Sequence, residues 1–355
     1  MQKNKILNKT WILATLIATY LLTSCGGKQA KPVQIEYIDF VEQLDQLSQK
    51  HCGVAELNQI RSKHPLFFKV WFSEIMDYSQ FVNFPDSVIA DRFNYWVQVN
   101  RPVFQALKKH YSIHTQWKPS LEQQWANLIQ ELPKTPVPVV YGYMSQFSNY
   151  NTFTIPQEKI IKQKDTVQTP LILGFSKEMF MNDTFPLYKA LDVPSFYERY
   201  NNPIQIPTMM IWNYLNSTYA PKHRIKTMID QMMFDGKMWA LMTQISDQPN
   251  PYDILGYTQE EWAMMEKDQG QIWKHFLDQK ALFSSNFNEY RRYFVYGNKT
   301  FGSGIPADCP PMIGSFIGMK IIQKYKSESG ATWEEIFNET DAAKILRISG
   351  YNPVR

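Results

Sequence analysis

The sequence contains little cysteine. Its 355 residues include three cysteines, which excludes a small scaffold held together by disulfides. Cys25 follows an apolar segment near the N terminus, so Cys52 and Cys309 are the two that remain for the folded part of the chain. An oxidising compartment would permit these two to pair, but each could equally be buried as a small apolar side chain.

Strong charge of either sign is also missing. The formal net charge is +4, and three of the positive charges come from Lys3, Lys5 and Lys9 ahead of Cys25. A chain that loses this segment is close to neutral, so no nucleic-acid partner is expected. The apolar fraction of 44% and the aromatic fraction of 15% indicate a globular protein.

The sequence lacks the familiar catalytic motifs. No Gly-x-Ser-x-Gly elbow occurs, and Gly302-Ser303-Gly304 has no strand-to-helix setting that would expose a nucleophile. No His-Glu-x-x-His motif for zinc occurs either. His110 and His114 have the spacing of two ligands on one helix face, but no glutamate follows His110 and two lysines precede it. We therefore expect a solvated helix end there, with favourable charge near the C-terminal dipole, rather than a metal pair.

The N-terminal segment has the features of a lipoprotein signal peptide, assigned to residues 1–24. A basic start is followed by an apolar stretch of 12 residues, 11–22, which is short for a permanent membrane span. It ends in Leu22-Thr23-Ser24-Cys25, which looks like a bacterial lipobox. We expect Cys25 to be acylated, for example with palmitate, and to anchor the chain in a membrane. Residues 25–34 form the anchor and a linker that lacks an acidic export signal, which favours the outer membrane, facing the periplasm.

Helices dominate the prediction for the mature chain, which we treat as one domain over 35–355 because no low-complexity linker or repeat divides it. The region 35–114 reads as mainly helical, and Ser120 with Gln123 predicts a capping box for the next helix. A stripe of Ile225, Met228, Ile229, Met232 and Trp239 predicts an amphipathic helix whose Gly236 is approached by another backbone or a buried group. Gly314 and Gly318 predict close helix packing.

A second long helix and a small sheet complete the predicted elements. Thr258 with Glu261 has the form of a capping box, and His275 is expected to be structural. Three short β-branched and aromatic runs, 137–144, 151–156 and 169–176, predict the strands of the sheet. The expected fold class is therefore α+β, mostly helical with one small β-sheet.

Several ordered blocks carry a family resemblance. MIDQMMFDGK, LGYTQEEW, IWKHFLDQKALFSS, PPMIGSFIGMKIIQKY and AAKILRISGYNP resemble the gliding motility lipoprotein GldB family of the Bacteroidetes. That family in turn resembles predicted zinc-dependent peptidases, which implies a zincin-like fold. The segment that would carry the zinc motif reads Trp212-Asn213-Tyr214-Leu215-Asn216 and has no histidine. Asp235 and Gly236 match the acidic residue and glycine of the next helix, and are candidates for a vestigial site.

The resemblance implies an envelope accessory protein of the gliding motility and protein secretion type. We expect it to bind envelope partners without catalytic turnover and to need no metal or cofactor. Two alternatives remain open. One is a metal-dependent peptidase with atypical ligands that include Asp235. The other is an outer-membrane glycan-binding lipoprotein that uses Tyr141, Tyr143, Phe147 and Tyr150. The Gly- and Pro-rich loop 298–311 is a candidate contact or lid.

Overall fold

The structure is a computed structural model that describes residues 30–81, 83–148, 151–162, 165–182, 185–193, 200–220, 225–297, 299–306 and 308–353. Pro32–Arg355 form one compact unit. The predictions for residues 1–24 and for Cys25 lie outside the described residues. In the part of the chain that is described, no helix is both long and apolar enough to cross a membrane.

A four-stranded mixed sheet lies in the first half of the unit. Its order is β1 (Glu36–Asp39), β2 (Val139–Tyr143), β6 (Ile172–Ser176) and β3 (Thr152–Ile155). The first three strands are parallel, and β3 runs antiparallel to β6. Strand β6 is buried along its whole length, as its continuous apolar run predicts. A separate hairpin pairs β4 (Lys159–Lys162) with β5 (Asp165–Gln168).

The three predicted strands are confirmed as β2, β3 and β6. The region 35–114 is mainly helical, as predicted, but the prediction did not include strand β1, in which Glu36–Asp39 pair with Val139–Gly142. This pairing joins segments about a hundred residues apart, so local periodicity does not reveal it. Asp39 ends the strand and caps the next helix, accepting a hydrogen bond from the Glu42 backbone N–H at 3.1 Å.

Within the described residues, five α-helices lie between the first two strands of the sheet in the sequence. They are α1 (Phe40–Leu47), α2 (Val54–Lys63), α3 (Pro65–Val70), α4 (Asp86–Ile113) and α5 (Trp117–Glu131). The predicted capping box at Ser120 is wrong, because α5 already begins at Trp117. The Ser120 hydroxyl instead donates to Asp247 Oδ1 at 2.8 Å and ties α5 to the segment after a later helix.

The second half of the unit is helical. Its helices are α6 (Pro186–Ala190), α7 (Ile206–Tyr219), α8 (Met228–Ile245), α9 (Pro251–Leu255), α10 (Gln259–Asp278), α11 (Phe287–Tyr290), α12 (Ile313–Ser329), α13 (Trp333–Asn338) and α14 (Ala342–Ser349). The capping box of α10 is confirmed. The Glu261 backbone N–H donates to Thr258 Oγ1, and the Thr258 N–H donates to the Glu261 carboxylate.

Helix α8 differs from its predicted amphipathic pattern. It runs unbroken through Asp235, Gly236 and Lys237, and all eight residues from Asp235 to Met242 are buried. A helix that is buried on every face lies inside the molecule rather than on its surface. Ile225, predicted as part of its stripe, precedes the helix. The most extensive helix packing in the unit is that of α8 against α12.

Candidate functional site

Asp235 lies in the contact between α8 and α12. Its carboxylate accepts hydrogen bonds on both oxygens, from Ser315 Oγ at 2.8 Å and from Gln231 Nε2 at 2.7 Å. Ser315 belongs to the first turn of α12, and Gln231 lies one turn before Asp235 on α8. The side chain thus links two helices, and each of its oxygens has a partner within the protein.

Burial governs the acidity of this carboxyl group. Only 7% of Asp235 is exposed, and burial raises its pKa from 3.8 to about 6, although both hydrogen bonds act in the opposite direction. Burial therefore makes the charged form of Asp235 less favourable than it would be in water. Chemically it can act as a buried hydrogen-bond acceptor, or as a proton-binding group near neutral pH.

Gly236 lies where α8 and α12 come closest. A Cβ atom added to Gly236 would overlap the backbone carbonyl of Gly318, and one added to Gly318 would overlap the carbonyl of Met232. The predictions of a close backbone approach at Gly236 and of close packing at Gly318 are both confirmed. Gly314 makes a different contact, since a Cβ atom there would meet the ring of Phe294 at 2.6 Å.

The segment 212–216, where a zinc motif would lie, is part of α7. Asn213 uses its amide to hold the edge strand of the sheet. Its Oδ1 accepts from Thr154 Oγ1 at 2.8 Å, and its Nδ2 donates to the Thr152 carbonyl at 3.3 Å. The Asn213 side chain of this segment therefore positions β3.

The sequence reasoning missed a buried ion pair at the carboxyl ends of the parallel strands. Asp39 is the last residue of β1 and Lys177 follows β6, and Lys177 Nζ lies 2.7 Å from Asp39 Oδ2. The Lys177 side chain is 1% exposed, and its ammonium group lies 4.7 Å from the centre of the Tyr111 ring. Burial lowers the pKa of Lys177, and Asp39 opposes that change. Ligands of open sheets commonly bind at this end of the strands.

Glu178, next to Lys177, is also fully buried. One carboxylate oxygen accepts from the Ser145 backbone N–H at 2.5 Å, the Ser145 hydroxyl at 3.0 Å and the Phe147 N–H at 3.3 Å. Burial raises the pKa of Glu178. The sequence did contain a signal for this site, because Lys177 and Glu178 directly follow the apolar run of β6. Charged side chains are rarely buried without a specific partner.

A cavity of about 870 Å³ opens beside edge strand β1, with Asp39 in its wall. The wall also contains His64, which is 4% exposed. The two ring nitrogens of His64 are hydrogen-bonded, Nδ1 with Tyr141 Oη at 3.1 Å and Nε2 with Gln43 Oε1 at 2.8 Å. Burial, with Lys63 as the lesser cause, lowers the pKa of His64 to about 4, so the ring is neutral at pH 7.

The other histidine predictions have different outcomes. His275 is buried, with Nε2 3.0 Å from Tyr293 Oη, which confirms a structural position. The rings of His110 and His114 lie 4.2 Å apart at the end of α4. Burial, with smaller effects of His114 and Lys177, lowers the pKa of His110 to about 4. A neutral His110 adds no positive charge to this helix end, where Lys108 and Lys109 are nearby cations in the sequence.

Metal-binding residues do not converge in the described part of the chain. Among those residues, no three or more His, Cys, Asp or Glu side chains are grouped closely enough to hold a metal ion. The possible disulfide is also absent from this structure, because Cys52 and Cys309 are both free and buried. Burial raises the thiol pKa to about 11 for Cys52 and to about 12 for Cys309.

The aromatic cluster does not form an exposed platform. Tyr141 and Tyr143 are buried, at 6% and 0% exposure, and Phe147 packs partly buried against the core. Tyr150 lies outside the described residues. The rings of Tyr141 and Phe67 stack with centres 4.0 Å apart, so this cluster is part of the core.

The loop 298–311 is closed at its base and exposed at its tip. The Thr300 backbone N–H donates to the Cys309 carbonyl at 2.8 Å, and the Thr300 hydroxyl donates to the Pro310 carbonyl at 2.9 Å. Phe301 is 68% exposed. Asn298 and Ala307 lie outside the described residues. The loop stays a candidate contact, with Phe301 as its most exposed apolar side chain.

Comparison with known proteins gives one match. No curated protein and no solved structure matches the chain. The family model for gliding motility protein GldB, a lipoprotein-type family, matches residues 27–353, which is nearly the whole chain. Such a family implies association with the cell envelope. The chain therefore belongs to the family of the gliding motility protein GldB.

Proposed function

We propose that this chain is a lipid-anchored accessory protein of gliding motility and of the secretion machinery on which gliding depends, and that it binds partners without catalytic turnover. Family membership supports the motility role. The lipobox-like Leu22-Thr23-Ser24-Cys25 supports acylation of Cys25. More than one acyl chain on this residue would make the attachment lasting. We place the anchor in the outer membrane, facing the periplasm, because no acidic export signal follows Cys25.

The state of Asp235 is the observation that carries the binding role. The resemblance to predicted zinc peptidases assigns this carboxylate to a vestigial site. Both of its oxygens are occupied by Ser315 and Gln231 within the packing of α8 against α12. A metal ligand or general base must be reachable by a cation or a substrate, and this side chain is only 7% exposed. The carboxylate serves instead to join two helices.

The segment on α7 supports the same conclusion. Asn213 is hydrogen-bonded to Thr154 and Thr152 of the edge strand. We infer that this chain is related to the predicted zinc peptidases, and that the helix which carries their ligands here only supports the sheet. If the residues of the former site only pack helices and support the sheet, the protein would act through its surface, by binding partners.

The metal content of the fragment that begins after Cys25 tests this proposal against the peptidase alternative. We expect elemental mass spectrometry of protein purified without a chelator or an affinity tag to find no stoichiometric zinc. We also expect no hydrolysis of a peptide library. Near-stoichiometric zinc that is lost in Asp235→Ala, and retained in the exposed control Asp91→Ala, would overturn the assignment.

Partner binding is tested in the native membrane. A photo-crosslinking amino acid at Phe301, an exposed apolar side chain of the loop, is expected to capture envelope proteins. The same amino acid at Ile113, which is 71% exposed at the end of α4, serves as the control. Identical products from both positions, or none from either, would contradict binding through this loop.

The anchor is tested separately by labelling cells with radioactive palmitate. We expect the label in the natural chain and none in Cys25→Ala, which should also leave the membrane fraction. Label that persists in Cys25→Ala would disprove acylation at this position.

A further inference from the structure

An exposed stretch runs from the last turn of α10 to Arg291. Three of its apolar side chains are at least half exposed: Leu277 at 50%, Phe283 at 72% and Phe287 at 54%. Lys280 and Arg291 are exposed in the same stretch. We call these five residues the apolar-basic projection. Such a concentration of exposed apolar groups within fifteen residues is unusual for the surface of a soluble domain.

The projection is firmly held by the body of the protein. Leu282 and Tyr290, which alternate with the exposed residues, are 2% and 3% exposed and anchor it in the core. The Lys280 N–H donates to the Leu277 carbonyl at 3.0 Å, and the Ser284 carbonyl accepts from the Met228 N–H at the start of α8, at 3.1 Å. The two phenylalanines are therefore exposed on a fixed support.

The charge around the projection is positive. Residues 274–292 contain four basic and two acidic side chains. Both acidic groups are engaged locally. Asp278 pairs with Lys274 one turn away, and Glu289 accepts from Ser284 Oγ at 2.6 Å and from Asn286 Nδ2 at 3.0 Å. Glu289 keeps its charge because its donors are neutral, and the stretch still has two more basic than acidic side chains, so an anionic partner is complementary.

We propose that the apolar-basic projection inserts its two phenylalanines and Leu277 into the surface layer of an anionic lipid membrane, while Lys280 and Arg291 contact lipid phosphates. Exposed Phe and Leu beside Lys and Arg is the combination that binds the membrane interface. Basic side chains have the charge that anionic headgroups require.

This inference does not require acylation of Cys25. Where the anchor is present, the projection determines which face of the protein is turned towards the bilayer. The two attachments then act together, because the second binding event becomes intramolecular.

Flotation of Pro32–Arg355 with lipid vesicles tests the inference without the anchor. These residues form one compact unit with its own core. We expect the protein to float with vesicles of phosphatidylcholine that contain phosphatidylglycerol. Flotation should fall with rising salt, and be much weaker with phosphatidylcholine alone. No flotation with the anionic vesicles would overturn the proposal.

Paired variants separate insertion from simple attraction. Phe283→Ser with Phe287→Ser is expected to weaken vesicle binding at least about tenfold, and Lys280→Glu with Arg291→Glu should abolish the preference for anionic lipid. Ile113→Ser with Lys109→Glu, exposed residues of α4, is the matched control and should bind normally. Circular dichroism confirms folding of each variant. Loss of binding in the charge variant alone, with the serine variant unaffected, would disprove insertion.

Discussion

At the scale of single residues, Asp235 shows how burial and hydrogen bonding compete. Its two donors stabilise the carboxylate, whereas the loss of water destabilises it, and the raised pKa of about 6 shows that the loss of water dominates. An aspartate of the unfolded chain titrates near 3.8. Between these two pH values the folded chain binds more protons than the unfolded chain. The free energy of unfolding contributed by Asp235 therefore falls as the pH rises from about 4 to 6, and stays lower above this window.

Asp235→Asn should remove this penalty. The amide oxygen can still accept from Gln231, and the amide nitrogen can donate to the Ser315 hydroxyl. We expect the variant to be more stable than the natural chain at pH 7 by about 2 kcal/mol, with little difference at pH 4. Urea denaturation at both pH values measures this. The exposed control Asp91→Asn should show no such pH dependence, and an equal gain at pH 4 and pH 7 would contradict the assignment.

Gly236 shows a different constraint, because it makes room for another backbone. Gly236→Ala would improve helix propensity by about 1 kcal/mol, but the methyl group would overlap the Gly318 carbonyl. Since neither backbone can rotate away, we expect a net loss of about 3 kcal/mol in the free energy of unfolding. Gly314→Ala should cost less, because the Phe294 side chain that it meets can move. Chemical denaturation of the two variants compares them, and equal losses would contradict this explanation.

At the scale of elements, the Asp39–Lys177 pair joins the ends of β1 and β6. Its members differ in exposure, since the Asp39 side chain is 25% exposed and Lys177 is 1% exposed. Removing the counter-charge from the more buried partner is the costlier change. Asp39 also caps α1, a role that asparagine can keep.

Asp39→Asn is therefore expected to cost about 3 kcal/mol, because it leaves a buried ammonium group without a counter-charge. Lys177→Met should cost about 1 kcal/mol, and the double variant should resemble Lys177→Met. Urea denaturation of the three variants completes the double-mutant cycle. Lys108→Met, which breaks the exposed pair with Glu42, is the control and should change stability little. Additive losses in the double variant would disprove the coupling.

The same scale shows where local patterns fail. The sequence does not indicate strand β1, because its four residues carry no strand pattern of their own, and only pairing with β2 makes them a strand. Ser120 has the pattern of a helix cap, yet a tertiary hydrogen bond to Asp247 uses its hydroxyl in the interior of α5. By contrast, the capping box of α10 needs only residues three apart, so the sequence predicts it correctly.

At the scale of the whole molecule, the two thiols report the integrity of the core. Cys52 and Cys309 are each 0% exposed, and burial raises both pKa values. We expect neither thiol of Pro32–Arg355 to react with a thiol reagent at pH 8 in the native state, and both to react after unfolding. The unfolding midpoint should not change with a reductant. Unfolded protein that shows no free thiol until it is reduced would demonstrate a disulfide.

The sequence by itself determined the α+β class, three of the four strands of the main sheet and the family. These predictions depend on local signals, namely apolar runs, glycines on helix stripes and ordered blocks of residues. Such signals do not depend on which distant segments pack together. It also predicted the close approach at Gly236, because a glycine on a helix stripe has few other reasons to be kept. Only the tertiary structure decided what Asp235, Lys177 and Glu178 do. A charged side chain takes a structural role when distant segments bury it and supply its hydrogen-bond or ion-pair partners. The sequence pattern does not show which segments will do so.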